Sequence, residues 1–172
     1  MYGAYADYEM AKRKIDAIET GRVRPGSEVR LSARELNAYA DHEIAQVAPQ
    51  GIRQTALELG NGVASASALI DFGRVRRAQG KKPGWLMSKL LDGERPVKIT
   101  ARVRSGGGQM QVDVQSVEVS GIPIEGSVLE FLIQHYLRAY YPQARVGEPF
   151  RLGGGVERVD VRPGDVAIAM KR

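Results

Sequence analysis

A chain of 172 residues with 43% hydrophobic and 26% charged side chains has the length and balance of one globular domain with a sizeable core, which excludes a generally disordered polymer. It contains no cysteine, so disulfides, thiolate chemistry and cysteine metal sites are excluded. Its net charge of +5 favours anionic partners, and no run approaches the roughly 20 apolar residues of a membrane-spanning helix.

Residues 5–20 read as a helix ended by Gly21, with Tyr5, Tyr8, Ala11, Ile15 and Ile18 in a narrow apolar stripe. The spacing of Tyr2, Tyr5 and Tyr8 suits packing on a neighbouring element better than stacking on a ligand. The opening MYGAYADYEMAKRK has no apolar signal core. Such a start fits a cytoplasmic protein and equally the mature part of an envelope protein. Arg22 to Gly26 reads as a linker, which divides the chain into an N-terminal helix and linker at 1–26 and a single domain at 27–172.

The clearest helix start follows, in 28-EVRLSARELNAYADHEIAQVA-48. Ser32 is placed to accept from the Glu35 backbone N–H while the Glu35 carboxylate returns to the Ser32 N–H, a capping box, with Leu31 and Leu36 at the staple positions. Glu43 interrupts the stripe of Leu36, Tyr39, Ala40 and Val47, so this helix is expected to be half exposed, and Pro49 stops it. A hairpin over 52–72 turns at Gly60-Asn61-Gly62. Its return strand alternates Ala64, Ala66, Ala68 and Ile70 with Val63, Ser65, Ser67 and Leu69. Small side chains on such a strand let another element approach closely.

In 74-RVRRAQGKKPGWLMSKLLDG-93 a basic run precedes a Trp-Leu-Met cluster and a short helix near 85–91. A second hairpin turns at Ser105 to Gly108. Val97, Ile99, Ala101 and Val103 alternate there with Lys98, Thr100, Arg102 and Arg104, the pattern of a half-buried antiparallel strand. On the return, Met110, Val112 and Val114 hold one parity while Val117 and Val119 hold the other. That slip predicts a bulge near Gln115-Ser116 and a curved strand.

The segment 127-SVLEFLIQHYLRAYYP-142 is the most apolar predicted helix, with Ser127 and Glu130 at capping-box spacing and Pro142 at its end. Burying its eight large apolar side chains is worth on the order of 12–24 kcal/mol gross, so it must be enclosed by protein, lipid or a partner. A last hairpin turns at Arg162-Pro163-Gly164-Asp165, between Val156, Val159, Val161 and Val166, Ile168, Met170. The expected fold class is α+β: a strongly curved antiparallel sheet of hairpins wrapped along a long apolar helix, plus N-terminal helices.

Catalytic signatures do not emerge. His42 and His135 fall inside predicted helices, and no HExxH occurs. Gly106 to Gly108 and Gly153 to Gly155 adjoin strands instead of opening a helix, so they read as turns and not phosphate cradles. Glu58, Asp71 and Asp113 alternate with apolar residues as solvent-facing charge, and Ser65 and Ser67 have no motif supplying a base. The expectation is a non-catalytic protein with no cofactor and no metal.

The phrases LSARELNAY, VKITARVRSGGGQMQVDVQSVEVSGIPI and FRLGGGVERVDVRPGDVAIAM, in that order around a long helix, resemble bacterial lipid-binding proteins of the TULIP-like class, such as the LmeA-type phospholipid-binding and YceB-like envelope proteins. The similarity covers roughly residues 28–172. It implies a half-barrel in which an apolar groove between helix and curved sheet takes a lipid or fatty acyl ligand, at a bacterial membrane surface in the envelope or periplasm if a signal has been removed. The cytoplasm stays open as an alternative.

Candidate lining residues are Leu129, Leu132, Ile133, Tyr136 and Leu137 on the helix and Leu57, Leu59, Leu69, Ile99, Val112 and Val114 on the sheet. A dry core would use the same pattern. In a lipid binder, Arg74, Arg76, Arg77, Lys81 and Lys82 suit an anionic membrane surface, with Trp85, Leu86 and Met87 dipping into the interface. The alternative is a non-catalytic envelope adaptor that binds a protein through a sheet edge or the first helix. Nucleic acid is disfavoured, because the basic residues are spread along strands and most aromatics sit in helical stripes.

Overall fold

The computed structural model describes residues 2–47, 51–71, 93–125, 129–130 and 147–172. In chain order these form α1 (Tyr2–Glu19), β1 (Glu28–Ser32), α2 (Ala33–Val47), β2 (Ile52–Leu59), β3 (Val63–Asp71), β4 (Glu94–Gly106), β5 (Gln109–Val119), β6 (Ile122–Pro123), β7 (Phe150–Arg151), β8 (Val156–Arg162) and β9 (Asp165–Met170). The class is α+β, and every described strand pairing is antiparallel.

The strands divide between two sheets, one of order β1-β9-β8 and one of order β2-β3-β4-β5-β6 with β7 beside β5. The expectation of a single sheet of hairpins is corrected here. The last hairpin pairs with β1, a strand too short for its two apolar residues, Val29 and Leu31, to advertise a partner in the sequence. The larger sheet stays open, with β2 and β6 at its edges.

The predicted bulge is in place. Thr100 faces Ser116 and Ala101 faces Val114, which leaves Gln115 as the extra residue of β5. A second irregularity lies in β2 between Arg53 and Ala56, where Gln54 adopts a φ of 53°. Each bulge bends its strand and strengthens the local twist.

The smaller sheet packs under α1. Ile18, Val156 and Met170 form a buried cluster with Val23, Val29, Leu152, Val159 and Ile168 around it. Gly154, at φ +66°, lies so close to α1 that a Cβ would stand 2.6 Å from the Ile18 carbonyl oxygen. Only glycine allows both that conformation and that approach.

The tips of the larger sheet are stitched to the outer edge of β8. Gly62 N–H donates to Val161 O at 2.9 Å, and Gly108 N–H donates to Glu157 O at 2.9 Å. Between them the Ser105 hydroxyl accepts from the Val159 N–H and donates to the Val159 carbonyl, both at 2.7 Å. Three alternate positions on β8 are thereby paired, and an edge that would otherwise be open is closed.

α1 and α2 close the other exposed edges. The capping box forms as predicted, with Ser32 N–H to Glu35 Oε1 and Glu35 N–H to Ser32 Oγ both at 3.1 Å. Lys14 of α1 reaches this carboxylate: its ammonium is 2.9 Å from Oε2, off the line of a hydrogen bond, and donates to Oε1 at 3.2 Å. It also donates to Arg30 O on β1 at 2.7 Å. Further along α2, the Asn37 amide behaves like a strand peptide toward β2, accepting from Leu57 N–H at 2.6 Å and donating to Leu57 O at 3.0 Å. One helical turn on, Asp41 accepts from Thr55 Oγ1. Four helical residues rise about 6 Å and two strand residues about 6.8 Å, so helix and edge run in step.

The helices expected at 85–91 and 127–142 lie outside the described residues, apart from Leu129 and Glu130, which are helical. Among the described residues no helix is long and apolar enough to cross a membrane.

Candidate functional site

Strand register gathers the apolar positions of the larger sheet onto one face. Ala64, Ala66 and Ala68 of β3 face Ala101, Ile99 and Val97 of β4, while Leu59 and Leu57 of β2 face Ala64 and Ala66. Because the bulge at Gln115 absorbs the parity slip, Val112, Val114, Val117 and Val119 all oppose this β4 row. Five of the six lining residues expected from the sheet thus share a face: Leu57, Leu59, Ile99, Val112 and Val114.

Leu69 does not join them. It pairs with Pro96 on the opposite face, since strand side chains alternate and Leu69 is out of step with Ala66 and Ala68. It lines a polar concavity of about 330 Å³ with Ser67 and Lys98. Leu129 is half-buried. The other expected lining residues, Leu132, Ile133, Tyr136 and Leu137, lie outside the described residues, as do Arg74, Arg76, Arg77, Lys81, Lys82, Trp85, Leu86 and Met87 of the expected docking loop.

Cover over the apolar face is uneven. Val97, Val117 and Val119 are almost fully buried, whereas Ile99 in the middle of β4 is 39% exposed and Ala66 beside it is exposed. An isoleucine left this open on an apolar face marks a surface that a further apolar body can cover.

The opposite face is a solvated ladder. Arg53 holds Glu94 through two bonds of 2.7 and 2.6 Å, and Arg104 pairs with Asp113 at 2.6 Å. Hydrogen bonding from Gln111, then from Arg104, holds the Asp113 carboxyl below its ordinary value. Exposed pairs of this kind are worth little to stability. A concavity of about 530 Å³ where the sheets meet is lined by Asn61, Arg104, Ser105, Asp160 and Arg162 among others. Its charges are matched internally: Arg104 by Asp113, Asp160 by Arg158 and Arg162 by Asp165.

Around the helices, Tyr8 stacks on Tyr39 with ring centres 6.3 Å apart and lies against His42 at 4.1 Å. Tyr5 is 68% exposed. Among the described residues no cluster of three or more His, Asp or Glu could hold a metal ion.

One residue of the apolar face escapes the sequence reading. Arg95 faces Ile70 in register, two residues before Val97 and therefore on the same side, and it is half-buried. The signal was present: the alternation of β4 extends one step beyond Val97, with a cation at an apolar position. No protein-family model matches the chain, and no curated protein matches it either.

Proposed function

We propose that the protein is a non-catalytic lipid-binding domain of the TULIP-like kind, in which the apolar face of the larger sheet and the apolar segment 127–142 hold an acyl chain or another long apolar ligand between them. The exposure of Ile99, 39% in the middle of that face, is the observation that carries this reading.

Two further features support it. Bulges in β2 and β5 curve the sheet, and alanines on β3 leave depth beside Ile99. The chain departs after Ile124, whose N–H bonds Val117 O, and returns at Gly147, whose N–H bonds Val112 O, each at 2.8 Å. Both ends of the 126–146 stretch are therefore tied to β5, about 17 Å apart along the strand. A helix over 127–142 rises about 24 Å, long enough to lie along the face. In this reading the basic, Trp-bearing loop at 74–93 docks on an anionic membrane surface, and the compartment is the bacterial envelope.

Native mass spectrometry of protein purified from cells without detergent tests the proposal. Bound species with lipid masses, released on denaturation, are the expected result. Ligand-free protein after a brief, detergent-free preparation rejects it.

A further inference from the structure

We propose that Arg95 holds the anionic head of a single-chain amphiphile on the apolar face, an assignment that rests on the lipid-binding reading above and names the ligand's charge and orientation. Along β4 the face reads Arg95, Val97, Ile99, Ala101, Val103 and Ser105. The Ser105 hydroxyl is occupied by both main-chain groups of Val159. Among the described, register-paired positions of β2 to β5 that face this way, Arg95 is the one ionisable side chain.

Its placement differs from that of the other cations on the strand. Lys98, Arg102 and Arg104 are exposed on the polar face, whereas Arg95 is half-buried beside Ile70 and two residues from Val97, which is 6% exposed. A cation among apolar neighbours is costly to desolvate, so a solvated position on the other face would suit a purely solubilising charge better. Apolar sites characteristically carry a few polar groups that fix ligand orientation. A guanidinium is planar, stays charged across the accessible pH range, and grips a carboxylate or phosphate through two parallel N–H donors.

Arg95 stands near the start of β4, and Val103 lies about 27 Å further along the strand. The head is therefore fixed at the end where β3 finishes and β4 begins. The tail runs past Ile99 toward the junction with β8. A hexadecyl chain fits that length.

Three ligands of equal chain length test this: palmitate, hexadecyl phosphate and neutral hexadecanol, each displacing a neutral fluorescent probe from the full-length protein. The expected result is a preference of about tenfold or more for at least one anion over hexadecanol, the scale of one charge-assisted bidentate pair. Arg95→Leu abolishes that preference while still binding hexadecanol, and Arg95→Lys keeps part of it. Equal binding of all three by the wild type, which needs no variant to fold, overturns the role of Arg95 and leaves lipid binding standing. Retention of the wild-type preference by folded Arg95→Leu overturns that role in the same way. Binding of none of the three overturns the lipid-binding reading and the role of Arg95 with it.

Discussion

The two sheets use similar residues for different ends. In the smaller sheet Val156, Val161, Val166, Ala167 and Met170 are each at most 9% exposed, α1 lies over them, and the flanking edges of β1 and β8 are engaged by Lys14, Glu35 and the tips of the larger sheet. The larger sheet has a comparable run of valines and isoleucines, but the centre of its apolar face is open at Ile99. A filled core and an open face of one composition teach that hydrophobicity alone does not separate stability from binding. The cover placed over each face does.

The contrast can be broken most severely from the smaller sheet. Ile18→Ala empties the centre of its buried cluster, and about 2–5 kcal/mol of stability should be lost, seen as a large fall in thermal midpoint with ligand preference unchanged in the protein that remains folded. A loss below about 1 kcal/mol would mean that α1 is not needed to close this core.

A smaller effect is expected at the clasp between α1, β1 and α2. Burial pushes the Glu35 carboxyl up, but the Lys14 ammonium and the Ser32 donors outweigh it and hold the group below its ordinary value. A carboxyl lowered in the folded state stabilises fully above its unfolded value of about 4.3, and that contribution is lost as pH falls through the folded value. Glu35→Gln should cost about 1 kcal/mol at neutral pH, and its midpoint should converge with that of the wild type as the pH drops below the folded value. Parallel curves down to pH 3 would show that the ionised carboxylate contributes nothing.

The least change in stability is expected on the open face. Ile99→Ser replaces a side chain that is 39% exposed, so stability should move by no more than about 0.5 kcal/mol, whereas binding of a neutral alkyl probe should weaken measurably. A destabilisation as large as that of Ile18→Ala would erase the distinction between core and binding face.

Much of this arrangement was legible residue by residue. Ser32 and Glu35 announced their cap by spacing, and the valines on either side of Gln115 announced the bulge through a change of parity. The turn residues at 60–62, 105–108 and 162–165 located the three hairpins. Leu69 does not belong among the lining residues, and its own strand pattern already put it opposite Ala66 and Ala68. Arg95 shows itself only when the alternation of β4 is followed back past Val97. The partner of the last hairpin was not legible at all.

Local chemistry explains that boundary. Caps, turns and bulges are set within a few residues, by which backbone groups a side chain can reach and which φ values it tolerates, so the sequence alone determined them. Which strand pairs with β9, which edge Asn37 covers and which apolar face stays open depend on groups far apart in the chain, brought together by competition among many similar hydrophobic surfaces. Only the tertiary structure decided those, because hydrophobic attraction has no direction and leaves the choice of partner to the packing of the whole.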